Sequence, residues 1–156
     1  PILIVDDIEQ VRVPAERARA LQRLAEIADH TARIRDAVDV PLIVDAACHP
    51  ALLPEIVRLA SPAGRIGLLP LLDALYCVDD LPAPKPDPRA FLAVCQHFGV
   101  NRGRAVMVGD SLKNDVEGAL GAGLHAVWFN RHGEAGPDVP SIRHLTELPE
   151  RLTSLT

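Results

Sequence analysis

Aromatic residues are scarce: Phe, Trp and Tyr together make up 3% of the 156 residues. Lys and Arg are scattered and outnumbered 16 to 21 by Asp and Glu, so no nucleic-acid partner is expected. Long apolar runs are missing too. None approaches the roughly 18 residues that a membrane span requires, so no membrane partner is expected. The first residues lack the basic segment, apolar stretch and small-residue cleavage site of a secretory leader. Cysteine is limited to Cys48, Cys77 and Cys95, an odd and widely spaced set. Such a set fits reduced thiols better than a disulfide framework or a zinc site. Together these absences predict a soluble cytoplasmic protein. What remains is 48% hydrophobic with a net charge of −5, and its length suits one domain covering residues 1–156. A chain of that size buries roughly two-thirds of its unfolded surface, so it needs no disulfide or metal to fold.

Short apolar runs alternate with helical patterns. The runs are Ile2 to Val5, Leu42 to Val44, Ala74 to Val78, Ala105 to Val108 and Ala126 to Phe129. Most are continuous and rich in β-branched residues, as expected of parallel strands covered on both faces. Between the first two, Leu21, Leu24, Ile27, Ile34 and Val38 keep helical spacing within a predicted helix from Pro14 to Val38. Further helices are predicted over Pro50 to Leu59, Pro88 to Phe98 and Asp115 to Ala122, with Gly99 and Gly123 closing the last two. Gly133 to Pro140 reads as a surface loop before a short C-terminal helix. The alternation predicts an α/β fold: a doubly wound, mainly parallel, five-stranded Rossmann-like sheet with helices on both faces.

In such sheets ligands bind beyond the carboxyl ends of the strands. The first strand ends in Asp6-Asp7, the second in Asp45 and the fourth in Gly109-Asp110; Lys85 follows the third in a Pro-rich loop. Converging carboxylates repel one another unless a cation sits among them. Mg²⁺ suits the place, because it takes oxygen ligands and keeps waters that a phosphate can displace. Taken singly, the residues have plainer uses: Asp6-Asp7 as a turn or cap, Lys85 as a solvated charge, Asp115 as the N-cap of its helix. Cys48 and His49 beside Asp45 are weak evidence for a metal, and the six histidines show no ligand spacing. Trp128 and Phe129 read as core.

Lys85-Pro86-Asp87-Pro88, then Val106-Met107-Val108-Gly109-Asp110-Ser111 through Asp115, then Gly121-Ala122-Gly123 and Trp128 to Arg131, resemble the haloacid dehalogenase-like hydrolase superfamily. The third and fourth motifs of that family stand in order, with 25 positions from Lys85 to Asp110 (110 − 85) and Gly-Asp-x4-Asp intact. The resemblance covers roughly residues 74 to 150. It implies that Lys85 neutralises the nucleophile and the transferred phosphate, that Asp110 binds Mg²⁺, and that Asp115 supports the metal. Ser111 lies in the same loop and is expected to meet substrate.

The first half departs from the pattern. The family's Asp-x-Asp nucleophile and acid become Asp6 followed at the acid's place by Ile8; taking Asp7 as the acid puts Val5 at the nucleophile. The Ser or Thr expected at the end of strand two is Asp45, whose charge repels a phosphate. Only 39 positions (45 − 6) separate the two strand ends, too few for a cap domain beside one long helix. A capless enzyme admits larger substrates or borrows a neighbouring subunit as a lid, which leaves a homo-oligomer open.

Three readings follow. The first is a Mg²⁺-dependent phosphomonoesterase whose altered motif allows weak turnover, with Asp6 as nucleophile and Asp7 or Glu9 replacing the missing acid; its substrate is a small phosphorylated metabolite. The second is a degenerate member that has lost turnover and serves as a binding or scaffold domain. The third is signalling, since Ile2 to Asp7 also resembles the start of a response-regulator receiver, with Asp45 as phospho-acceptor. Receivers lack the Gly-Asp-x4-Asp motif, which weighs against the third.

Overall fold

The computed structural model describes residues 2–6, 42–46, 73–77 and 80–154. The predicted helices from Pro14 to Val38 and from Pro50 to Leu59 lie outside them, and so does Asp7. Among the described residues six strands form one sheet: β1 (Ile2–Asp6), β2 (Leu42–Ala46), β3 (Ala74–Cys77), β4 (Ala105–Gly109), β5 (His125–Phe129) and β6 (Ser141–Ile142). Their order is β3-β2-β1-β4-β5-β6, and every pairing is parallel. The expected count of five omitted β6. Two residues are too few to show periodicity, and β6 is defined by its pairing with β5: Trp128 opposite Ser141, Phe129 opposite Ile142.

The chain runs outward from β1 to β3, then returns to the other side of β1 for β4. This reversal leaves a crevice beyond the carboxyl ends of β1 and β4, where ligands of open α/β sheets bind. Register carries one level across the whole sheet: Tyr76, Asp45, Asp6, Gly109, Trp128 and Ser141 are successive partners. Two of the sequence's strand-end acids, Asp6 and Asp45, are therefore neighbours in the sheet.

All five residues of β4 are buried, which is why its sequence is an uninterrupted apolar run ending in glycine. Helix α1 (Pro88–His97) starts where predicted. Pro88 opens its first turn, and the Asp87 carboxylate caps it by accepting from the Arg89 amide at 2.9 Å. Its buried face of Ala90, Phe91, Val94 and Cys95 packs into one core with Met107, Val116, Ala119 and Trp128. Helix α2 (Gly118–Ala122) ends at Gly123, whose φ of 84° is the left-handed value that glycine adopts without strain. A last helix, α3 (Leu148–Thr153), buries Leu148 and Leu152. Among the described residues no helix is long and apolar enough to cross a membrane.

Candidate functional site

The turn between β4 and α2 is wound wider than an α-helix. Residues Leu112–Glu117 form a π-helical segment in which the Val116 amide reaches back to the Ser111 carbonyl at 3.2 Å. Such segments are uncommon and cluster at functional sites. Ser111, not Asp115, is the N-cap, since its Oγ accepts from the Asn114 amide at 3.2 Å. Asp115 instead sits inside the turn, 0% exposed, which corrects the capping role that the sequence allowed it.

A fully buried carboxylate is costly unless its oxygens are satisfied. Both oxygens of Asp115 are. Lys85 Nζ donates to Oδ1 at 2.7 Å, and the Ser111 amide donates to Oδ2 at 3.0 Å. The Lys85 side chain is itself only 11% exposed, so the pair is held largely out of water. The charge-assisted bond thus ties the loop after β3 to the turn after β4. Gly109 makes the approach feasible: a Cβ at that position would run into the Asp115 carboxyl group.

Asp110 follows Gly109 at the end of β4. Its carbonyl accepts from the Trp128 indole N–H at 3.0 Å, and its Oδ2 lies 3.9 Å from the Arg131 guanidinium. Trp128 is 4% exposed, as a core reading predicts, but its ring nitrogen also fixes the Asp110 backbone. A cavity of about 300 Å³ opens beside these groups, lined in part by Asp110, Ser111, Trp128, Arg131 and His132. Arg131 ends the Trp128 to Arg131 stretch of the resemblance, but the sequence assigned it no role, since alternation and motif spacing do not mark a position two residues past the end of β5.

Of the residues singled out in the sequence, Lys85 and Asp115 are in contact, Asp110 and Ser111 lead into the same turn, and Asp6 and Asp45 are register partners. Asp6 also pairs with Gly109, the residue before Asp110. The arrangement gathers a carboxylate-bearing strand end, a half-buried lysine and the turn after β4 at one edge of the sheet. Among the described residues, no three His, Cys, Asp or Glu side chains form a metal site by themselves. Lys85 is engaged by Asp115, which belongs to the Gly-Asp-x4-Asp motif that receivers lack.

Comparison with known proteins agrees with this architecture. Residues 54–123 match the family model described as haloacid dehalogenase-like hydrolase. N-acylneuraminate-9-phosphatase of Mus musculus is 37% identical over 89 residues, which are 53% of this chain and 36% of that protein. Phosphoserine phosphatase of Thermus thermophilus is 49% identical over 61 residues, 35% of this chain and 24% of that protein. The chain thus spans about a third or less of the length of these curated relatives. Among solved structures, a HAD phosphatase from Thermococcus onnurineus superposes with a TM-score of 0.67 at 33% identity, covering 87% of this chain and 64% of that one.

Proposed function

We propose that this chain, haloacid dehalogenase-like in sequence and in fold, is a hydrolase of small phosphomonoesters that works through an aspartyl nucleophile. The observation that supports the reading is the register of Asp6, at the carboxyl end of the central strand, with Gly109, the residue against which the Asp115 carboxyl of the Lys85–Asp115 pair packs. Within these 156 residues the reading has one core domain and no inserted cap. The names of the relatives, phosphatases of N-acylneuraminate and phosphoserine, support a phosphate ester of a small metabolite as the substrate class.

In this reading the Asp6 carboxylate attacks phosphorus, forming a new P–O bond as the ester P–O bond breaks, and water then hydrolyses the aspartyl phosphate. Lys85 holds positive charge near the transferring group. Asp7 or Glu9 protonates the leaving oxygen. Without a well-placed acid the rate falls by roughly 10²–10⁴-fold, so weak turnover is compatible with the scheme. In the same reading Ser111 and Asp45 bind the substrate; they belong to the segments ending β4 and β2, the two strands that flank β1.

The donor set fits Mg²⁺, being made of carboxylate oxygens only. Asp6 and Asp110 supply ligands, and Asp115, whose oxygens are already taken by Lys85 and the Ser111 amide, supports them from behind. Bound there, Mg²⁺ would neutralise the phosphate and the crowded acids.

The test is hydrolysis of p-nitrophenyl phosphate and a panel of metabolite phosphates, with and without Mg²⁺, by the native chain, Asp6→Asn and Asp110→Asn. Mg²⁺-dependent release abolished by both substitutions is the expected result. Turnover indifferent to Asp6→Asn would overturn the proposal. A second reading, a binding protein without turnover, is favoured by the register of Asp45 beside Asp6, where like charge opposes a phosphate. Mg²⁺ binding with no hydrolysis anywhere in the panel is the result that reading requires.

A further inference from the structure

Asp110 is followed by a peptide plane whose two polar atoms are both engaged. Its carbonyl accepts from the Trp128 indole N–H at 3.0 Å. The amide of the same planar unit, that of Ser111, donates to Asp115 Oδ2 at 3.0 Å. Held at both ends, the plane cannot turn without breaking a bond. The backbone of Asp110 is set by this, and with it the rotamers open to the carboxylate. One holder belongs to the turn after β4, whereas the other reaches across from β5, where Trp128 is the register partner of Gly109.

The indole is in turn placed by a loop. A Cβ built on Gly136 would lie 2.5 Å from Cζ3 and 2.8 Å from Cη2 of Trp128, so the backbone there rests directly on the ring, at the end away from its N–H. Trp128 is 4% exposed and shares its core with Met107, Val116 and Ala119, which leaves the ring no room to retreat. Both ends of the loop are tied. At its start, Asn130 Nδ2 donates to the Glu134 carbonyl and Oδ1 accepts from the Glu134 amide, both at 2.8 Å. At its end, the Pro140 carbonyl accepts from the Trp128 amide at 2.8 Å.

We infer that Trp128 is a positioning residue for the Asp110 carboxylate, and that the 133–140 loop acts on it through Gly136. Loop backbone, indole and peptide plane form one series of contacts that ends on a residue assigned to Mg²⁺. The inference deepens the hydrolase reading and rests on it for Asp110 as a ligand. Mg²⁺ demands near-ideal octahedral geometry, so a carboxylate on a loosened backbone holds it poorly. Partners standing behind metal ligands are typically worth roughly ten- to hundredfold in affinity.

Trp128 is the sole tryptophan of the chain. It can therefore be replaced throughout by β-(3-benzothienyl)alanine, which keeps the ring shape and carries sulfur in place of the N–H. Mg²⁺ binding is measured calorimetrically on the full native chain, the chain carrying this isostere, Gly136→Ala and Asp110→Asn. The single indole N–H resonance is followed in ¹⁵N-correlated spectra. In the native protein Mg²⁺ should shift that resonance with the calorimetric midpoint. The isostere should weaken Mg²⁺ binding roughly tenfold or more. Gly136→Ala should displace the indole resonance before metal is added and weaken binding in the same direction. Native affinity in the isostere chain would overturn the positioning role, and this arm decides even if Gly136→Ala does not fold. An indole resonance unmoved by Gly136→Ala would overturn the part given to the loop. Failure of the hydrolase reading has a different signature: native protein that binds no Mg²⁺, or Asp110→Asn that binds it unimpaired, removes the ligand itself and the inference with it.

Discussion

Lys85 Nζ lies 2.7 Å from Asp115 Oδ1, although the two residues belong to different crossovers of the sheet. One follows β3 and the other precedes α2, and the strands to which they belong are separated in the sheet by β2 and β1. The pair is therefore a tie across the site's edge.

Removing one partner of this pair strands the other in a largely dry place. Asp115→Ala should destabilise the protein by about 3–5 kcal/mol, read from urea denaturation. Replacing both, in Lys85→Met with Asp115→Leu, should recover part of the loss, because paired burial of apolar groups leaves no orphaned charge. A double variant no more stable than Asp115→Ala would show that the stranded Lys85 charge is not the source of the loss.

Gly109 and Gly121 should respond in opposite directions to alanine. At Gly109 the new methyl meets the Asp115 carboxyl group, so overpacking should cost at least about 1–3 kcal/mol and disturb the turn. At Gly121 no atom lies within 4 Å of the added carbon, and helix propensity should raise stability by up to about 1 kcal/mol. Denaturation midpoints of the two variants decide the matter. A neutral Gly109→Ala would mean that the Asp115 carboxyl group can move aside without loss.

The Asp87 carboxyl pKa is held below its ordinary 3.8, first by the side-chain hydrogen bonds from Arg89 and then by the bond from the Arg89 amide. A depressed folded pKa contributes stability above the unfolded value and loses it as pH falls through the folded one. The contribution is thus present at neutral pH and fades only in acid. Carboxyl ¹³C titration should show Asp87 titrating below the usual aspartate range, and Arg89→Ala should move it back up. Because the pair is solvent-exposed, molar salt should shrink the difference. A midpoint unchanged by Arg89→Ala would remove the assigned cause.

What the sequence made legible was local or motif-borne. The β4 run and the Pro88 and Gly123 boundaries follow from burial and backbone preference within a few residues, so they could be read directly. Lys85, Asp110 and Asp115 could be located because their spacing from strand ends sets which edge they reach. Their contacts could not. Asp115 looked like a cap because helix-starting acids usually are; only the wide winding of Leu112–Glu117 hands that place to Ser111 and turns Asp115 inward. Arg131 and β6 depend on pairing with distant segments, and neither leaves a periodic trace. Asp7 and the two long predicted helices lie outside the described residues, as does the proposed replacement for the missing acid, Glu9.

The strand order has a kinetic consequence. Asp6 meets Gly109 only after about a hundred residues of intervening chain have been brought back to the first strand. Closing so long a loop costs entropy before any contact rewards it, which slows folding in sheets dominated by distant pairings. The acidic edge therefore has no partial form: until β4 docks on β1, the two carboxylates at its centre are unrelated points on a chain. Ligand binding would report the arrival of that one strand, and a nascent or partly unfolded copy would be silent toward substrate even with every motif residue intact.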